Sequence, residues 1–251
     1  MAAKDRLMLI RQQVETEKKV TVTNLSRTYQ VTEETIRRDL EKLEAEGFLT
    51  RTFGGAVYNH AVQRENVHFY KRAAINIGEK KKIAAAFFEI LQNKSTIATD
   101  SSTTVMEAVK MLRDKELTIL SASTEIFREL GDTDIRIIST GGIFNKRTLS
   151  LHGQVAKDTV QRYHVNIALI SCKGLDIEKG VTDTNESEAE IKKCMIQQAE
   201  EVALLVDHTK FGRTAFAHLL DLDDLDYLVT DQKPEEEWIR LCEEKNIQLI
   251  Y

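Results

Sequence analysis

Two groups of residues have the types and spacing to do chemistry. The first is Thr32, Thr35, Arg37 and Arg38, followed by two further cations at Lys42 and Arg51. An arginine fork can grip guanine through two hydrogen bonds, and a threonine can meet a phosphate or a thymine methyl, so the set suits double-stranded DNA if a helix carries it into a groove. Arg37 and Arg38 would equally suit a solvated helix face paired with nearby acids. The second group is a series of polar loops, each following a strand-like run. They are Asp100-Ser101-Ser102-Thr103-Thr104 after TIAT, Ser121-Ala122-Ser123-Thr124 after TIL, Gly141-Gly142 after IIST, Cys172-Lys173-Gly174 after ALIS, and Asp207 to Lys210 after ALLV. Where such a loop opens a helix, free N–H groups and the positive end of the dipole favour a phosphate.

The elements that must position these residues differ between the two ends of the chain. Near the N-terminus, Leu7, Ile10 and Val14 recur on one face of a first helix. The run VTVT reads as a short strand, with Thr23 capping a second helix over 24–29. Thr32 caps a third helix, Glu33 and Glu34 suit its positive start, and Gly47 stops it. Its Ile36, Leu40 and Leu43 point to a core, which turns Glu34, Arg38, Glu41 and Lys42 outward and leaves Thr35 and Arg37 on the flanks. FLTRTFGGAVY then reads as two strands around a turn at Gly54-Gly55. Three short helices and a Gly-Gly hairpin carrying Arg51 form the frame a recognition helix needs.

Residues 59–78 are polar and weakly periodic and read as a linker. From Glu79 onward helix-like and strand-like segments alternate, which argues for a mainly parallel sheet covered by helices, because parallel strands need crossover connections. The expected fold class is α/β with a small N-terminal domain: 1–58 for DNA, 59–78 as linker, 79–251 as a ligand-binding domain. In open sheets of this kind ligands bind beyond the C-terminal ends of the strands, where the polar loops fall.

Composition sets bounds. The 251 residues carry 35 bases against 40 acids, with 42% hydrophobic residues. No apolar run approaches the ~18 residues of a membrane helix, and the charged N-terminus is unlike a secretory signal, so a cytoplasmic protein without membrane partners is expected. Charge is unevenly spread: residues 1–58 hold ten bases against nine acids, and the remainder holds 25 against 31. Cys172, Cys194 and Cys242 are too widely spaced for a disulfide framework or zinc site and read as free buried thiols. The six histidines form no ligand set, and neither metal nor cofactor is expected.

The stretch TVTNLSRTYQVTEETIRRDLEKLEAEGFLTRTFGGAV resembles the winged helix-turn-helix of DeoR-family bacterial transcriptional regulators, with TIRRDL and the GGA wing as its specific parts. The likeness continues through Arg72, Asn76, Glu79, Lys80, Ile83 and Ala84 and through LLVDHTKFGR. It implies a DNA-binding head joined to a domain similar to phosphosugar isomerases that senses a phosphorylated sugar or polyol. The expected function is repression of a sugar or polyol utilisation operon, with release from operator DNA by that effector. By resemblance Asp100, Thr103, Thr104, Ser123, Glu188, Lys192, Asp207 and Lys210 fall on effector positions. Ser102 stands where the family usually has glycine, Ala122 where it has asparagine, and Lys173 where it has a small or polar residue. Ser102 and Lys173 are counted with the effector set.

A single head of net charge +1 binds DNA poorly, so a homodimer or homotetramer is expected. Two other functions compete. One is an aldose-ketose phosphate isomerase with a fused head, using Asp176, Glu188 or Asp207 as base and Lys192 or Lys210 as cation. It lacks the isomerase glycine-rich loops. The other is an interaction module with a vestigial pocket.

Overall fold

The computed structural model of the chain describes residues 3–45, 49–52, 54–58 and 69–251. The chain divides into two compact units, Met1–Ile75 and Asn76–Tyr251. The first contains α1 (Ala3–Glu17), β1 (Lys19–Thr21), α2 (Val22–Tyr29), α3 (Glu33–Ala45), β2 (Leu49–Thr52), β3 (Gly55–Tyr58) and α4 (Phe69–Ala74). Its three strands form an antiparallel sheet in the order β1-β3-β2. Ile10 and Val14 from α1, Val22 and Leu25 from α2, and Ile36, Leu40 and Leu43 from α3 close one core over Val20, Leu49 and Ala56. Each helix supplies its apolar residues at three- or four-residue spacing, so only one face is buried.

Two local expectations are corrected here. The strand stops at Thr21, and Thr21 rather than Thr23 caps α2, its Oγ1 accepting from Asn24 N at 3.2 Å. Starting the helix at Val22 puts Val22 and Leu25 on the same buried face, which a later start would forgo. Thr23 Oγ1 instead donates to Glu33 Oε1 at 3.0 Å. Gly55 belongs to β3 rather than to the turn, and a Cβ there would lie 2.0 Å from the Val20 carbonyl oxygen, so only glycine lets β3 approach β1 so closely. Gly47, His60 and His68 lie outside the described residues.

The second unit contains α5 (Ile77–Leu91), β4 (Thr96–Thr99), α6 (Thr103–Lys110), β5 (Thr118–Ser121), α7 (Thr124–Leu130), β6 (Arg136–Ser139), β7 (Ile143–Asn145), β8 (Ser150–His152) and α8 (Gln154–Val160). It continues with β9 (Val165–Ile170), β10 (Gly174–Asp176), β11 (Gly180–Asp183), α9 (Glu186–Gln197), β12 (Ala199–Leu205), β13 (Ala217–Leu220), β14 (Tyr227–Val229), α10 (Glu236–Glu244) and β15 (Gln248–Ile250). Seven strands form a sheet in the order β15-β14-β12-β9-β4-β5-β6, every neighbouring pair parallel. The α/β class with a parallel sheet is as the alternation implied.

Within residues 59–78, read from the sequence as a linker, α4 occupies Phe69–Ala74 and α5 begins at Ile77. Two further pieces were invisible to the pattern. A hairpin pairs β7 with β8, and a small antiparallel sheet runs β10-β11-β13. Their strands are three or four residues long, too short for alternation to register. Gly142, at φ +99, leads into the hairpin where a Cβ would lie 2.4 Å from His152 O.

The strand order also contains a change of direction. From the middle of the sheet, β4, β5 and β6 proceed one way and β9, β12, β14 and β15 the other. The direction reverses between β4 and β9, the kind of point beyond whose strand ends open parallel sheets bind ligands.

Candidate nucleic-acid interface and ligand site

In the first unit, α3 presents the expected residues. Thr32 Oγ1 accepts from Thr35 N at 3.3 Å and shares a hydrogen bond with Thr35 Oγ1 at 2.9 Å, which caps the helix. Arg37 and Arg38 are exposed one turn on and Lys42 a further turn on. The arginines are also held by acids: Arg37 Nη2 lies 2.8 Å from Glu33 Oε2, and Arg38 Nε lies 3.6 Å from Glu34 Oε1. Such exposed pairs are worth ~0–1 kcal/mol, so DNA can displace them at small cost. Arg51 on β2 is bound more firmly, its Nε 2.8 Å from Glu44 Oε2.

The face opposite these residues carries a pair that the sequence reading missed. Asp39, buried within α3, accepts from Arg6 Nε at 2.6 Å. This holds α1 against the inner side of the helix that carries Arg37 and Arg38.

In the second unit, the loops after β4 and β9 meet at the reversal of strand order. Asp100 is buried; its Oδ1 accepts from Ser102 N at 2.8 Å and its Oδ2 from Ser171 N at 3.0 Å, which ties the two loops together. Lys192, on α9, reaches under the same point. Its ammonium lies 2.6 Å from Asp183 Oδ2, 2.7 Å from the Ser171 carbonyl oxygen and 3.1 Å from Asp100 Oδ2. Burial pulls the lysine pKa down, but the charges of Asp183, Asp100 and Glu188 outweigh it and raise the pKa above its ordinary value. Burial likewise pushes Asp183 up, and Lys192 with Lys173 more than reverses this, leaving it lowered. Asp100 and Lys192 therefore form a buried network that joins the loops after β4 and β9. Asp183 and Ser171, which complete it, were not legible from local pattern.

Beside that network, Ser102 caps α6, its Oγ accepting from Val105 N at 3.2 Å. Thr103 and Thr104 form the first helical turn and are largely buried. Ser123 opens α7 with its hydroxyl differently placed: it is 1% exposed, does not cap the helix, and its Oγ has no hydrogen-bond partner among the described residues. Its neighbour Ser121 is spent, accepting from Thr99 Oγ1 at 2.9 Å and from Ser123 N at 3.0 Å. Glu188 accepts from Ser150 Oγ at 3.1 Å, which holds the β7–β8 hairpin to α9. Lys173 is half-buried after β9, its backbone N–H donating to Thr182 O at 3.0 Å.

Asp207 and Lys210 stand at the end of β12 on a short 3-10 turn, His208–Lys210. Burial pushes Asp207 up; the Lys210 charge and hydrogen bonds from Thr209 and the Asn76 side chain pull it further down, to a lowered pKa. Asn76 is the first residue of this unit and has a left-handed backbone, φ 52. Asp231, two residues past β14, anchors the same turn, accepting from His208 N at 2.7 Å and lying 2.9 Å from His208 Nδ1. Beside it a cavity of about 640 Å³ is lined by His208, Phe211, Thr230, Gln232 and Trp238 among others. Asp176, a candidate isomerase base, instead accepts from Glu178 N and Lys179 N, both at 3.0 Å, and shapes the β10–β11 turn.

The three cysteines are free and buried, and burial pushes the Cys172 thiol up to about 12. Among the described residues no His, Cys, Asp and Glu cluster is arranged to hold a metal, and no helix is long and apolar enough to cross a membrane.

Residues 6–62 match the DeoR-like helix-turn-helix domain and residues 75–232 match the DeoR C terminal sensor domain. The chain is a member of the DeoR family. This DeoR-family chain is 39% identical to the uncharacterized HTH-type transcriptional regulator YulB of Bacillus subtilis, over 92% of this chain and 89% of that protein. It is 30% identical to the L-fucose operon activator of Haemophilus influenzae, over 96% and 97% respectively. It is also 30% identical to the HTH-type transcriptional repressor GlcR of Bacillus subtilis, over 100% and 96%. Among solved structures, ribose 5-phosphate isomerase A from Neisseria gonorrhoeae aligns with 57% of this chain and 56% of its own at a TM-score of 0.38 and 15% identity. The DeoR-family chain is a DNA-binding regulator of transcription and not an enzyme.

Proposed function

We propose that this regulator represses a sugar or polyol utilisation operon and leaves its operator when a phosphorylated sugar or polyol binds at the β4–β9 crevice. The observation that carries the ligand half is the Ser123 hydroxyl, buried without a partner at the C-terminal edge of the sheet. A buried hydroxyl without a partner costs about 1–3 kcal/mol, and a ligand hydroxyl or phosphate oxygen would recover it. The α6 start supplies N–H groups for the phosphate beside Thr103 and Thr104, and Lys210 and Lys173 supply cations. Thr32, Thr35, Arg37, Arg38, Lys42 and Arg51 form the DNA-facing set, with phosphate and base contacts divided among them.

The test is a thermal-shift panel of sugar phosphates, polyol phosphates and nucleoside phosphates, followed by operator release with any compound that stabilises the protein. At 100 times its dissociation constant a ligand adds ~2.7 kcal/mol, a shift plainly visible in melting. No stabilisation by any member of the panel sinks the effector reading and leaves the DNA reading standing. The proposal also includes a homodimer or homotetramer, since paired heads multiply weak contacts to two half-sites. A sedimenting monomer at micromolar concentration that still binds operator tightly contradicts that part.

A further inference from the structure

Arg51 is held in a way its role on a DNA-facing hairpin does not by itself require. Glu44, in the last turn of α3, takes it at two points: Oε1 accepts from Arg51 N at 3.0 Å and Oε2 from Arg51 Nε at 2.8 Å. The strand order β1-β3-β2 leaves β2 at the sheet edge, so the first bond satisfies an edge N–H and the second orients the guanidinium. Glu41, one turn earlier, lies 3.5 Å from Arg51 Nη2. Burial pushes Glu44 up, and the Arg51 hydrogen bonds more than reverse it, so the carboxylate stays ionised through neutral pH.

By charge alone Glu44 opposes DNA binding, because its carboxylate offsets the cation beside it well inside a Debye length. Its contribution has to come from direction. A long flexible cation loses rotamer freedom when it docks, whereas a planar fork already fixed through Nε presents its remaining donors in one geometry. We infer that Glu44 is the positioning residue of the wing, coupling the recognition helix to Arg51 so that helix and hairpin engage one DNA duplex in fixed register. This rests on Arg51 being a DNA contact.

The experiment uses the full chain and a duplex enriched from a random pool by the wild-type protein, with a scrambled duplex of equal length as reference. Binding is measured for wild type, Glu44→Gln, Glu44→Ala, Arg51→Ala and the Glu44→Ala/Arg51→Ala double variant, with melting curves for each. Glu44→Ala is expected to weaken the selected duplex by about three- to tenfold, the scale of one charge-assisted contact. It should leave the scrambled duplex unchanged or bound more tightly, and have no effect once Arg51 is already alanine. Glu44→Gln keeps an acceptor for Arg51 N and loses the carboxylate; it should fall between the two and decides the matter if the alanine variant unfolds. Equal tightening on both duplexes makes Glu44 a mere charge and overturns the inference. A loss that persists without Arg51 makes Glu44 a structural residue and overturns it too. A neutral Arg51→Ala variant is a different failure, since it removes the DNA reading of Arg51 itself.

Discussion

Arg6 Nε lies 2.6 Å from Asp39 Oδ2, a buried ion pair spanning 33 positions that fixes the back of the recognition helix to α1. Removing one partner strands the other charge. Asp39→Ala is therefore expected to cost about 3–5 kcal/mol, while an Arg6→Met/Asp39→Leu pair should recover most of the loss. Urea unfolding of the three proteins checks this. A single-variant cost below ~1 kcal/mol would show that the guanidinium finds water instead.

On the opposite face of α3, Arg37→Ala and Arg38→Ala should each weaken operator binding. The loss is about 1–3 kcal/mol if the arginine reads a base, or a salt slope lower by about one charge if it meets a phosphate. Titrations at several salt concentrations separate the two. Unchanged binding by both folded variants would return these residues to the solvated-face reading, with Glu33 and Glu34 as their real partners.

How much of this was legible in the sequence depended on the range over which each feature is encoded. The α3 face was readable because Ile36, Leu40 and Leu43 repeat within one helix, and the parallel sheet because whole segments alternate. Asp39 was not singled out, since its partner Arg6 belongs to another helix and neither residue carries a local mark of burial. Asp183 escaped for the same reason, and so did β10, β11 and β13, whose pairing brings together segments up to forty residues apart. Among the crevice residues, the sequence pointed to Lys192 and Asp100 but not to their use. Their types suggest ligand contact, whereas their distances show them bonded to each other and to Ser171 on the loop after β9.

Ser123→Ala separates function from stability by sign. Removing a buried hydroxyl that has no partner should leave the melting temperature of the unliganded protein unchanged or raised. The same change should weaken an effector found in the ligand panel about tenfold, the value of one lost hydrogen bond near 1.4 kcal/mol. A lowered melting point with unaltered ligand binding would assign the hydroxyl to the fold alone.

Lys210→Ala should weaken effector binding and leave operator affinity without effector nearly unchanged, giving a regulator that stays on DNA. The competing description is that the Lys210 charge merely steadies the buried Asp207 and the turn that carries both. Release curves against effector concentration that superimpose for variant and wild type would remove Lys210 from the site.

Asp183 and Lys192 set opposite pH limits on the second unit. A carboxylate whose folded pKa lies below its ordinary 3.8 contributes stability above that value and loses it as pH falls through the folded pKa. A lysine raised above 10.5 contributes below that value and loses it as pH rises through the folded pKa. Stability from the pair should thus be flat through neutral pH and fall on the acid side below about pH 4. Urea unfolding from pH 7 down to pH 3 measures this, and Asp183→Asn should flatten the acid limb. An identical limb in that variant would place acid sensitivity elsewhere.

An ammonium already ringed by three protein oxygens is a poor host for a fourth. Asp100, Asp183 and Glu188 all act on Lys192, with the charge of Lys173 also reaching Asp183, so the acids outnumber the bases there. On the proposed reading, a molecule bound at this strand edge would be sorted by its ends. An uncharged, hydroxylated end would lie inward, and an anionic end would rest among the helix start, Lys173 and Lys210. For a phosphomonoester that orientation is natural. A compound with phosphate at both ends would have one charge with nowhere to rest, so the lysine that ties the loops of the two halves of the sheet together would also select for ligands charged at one end.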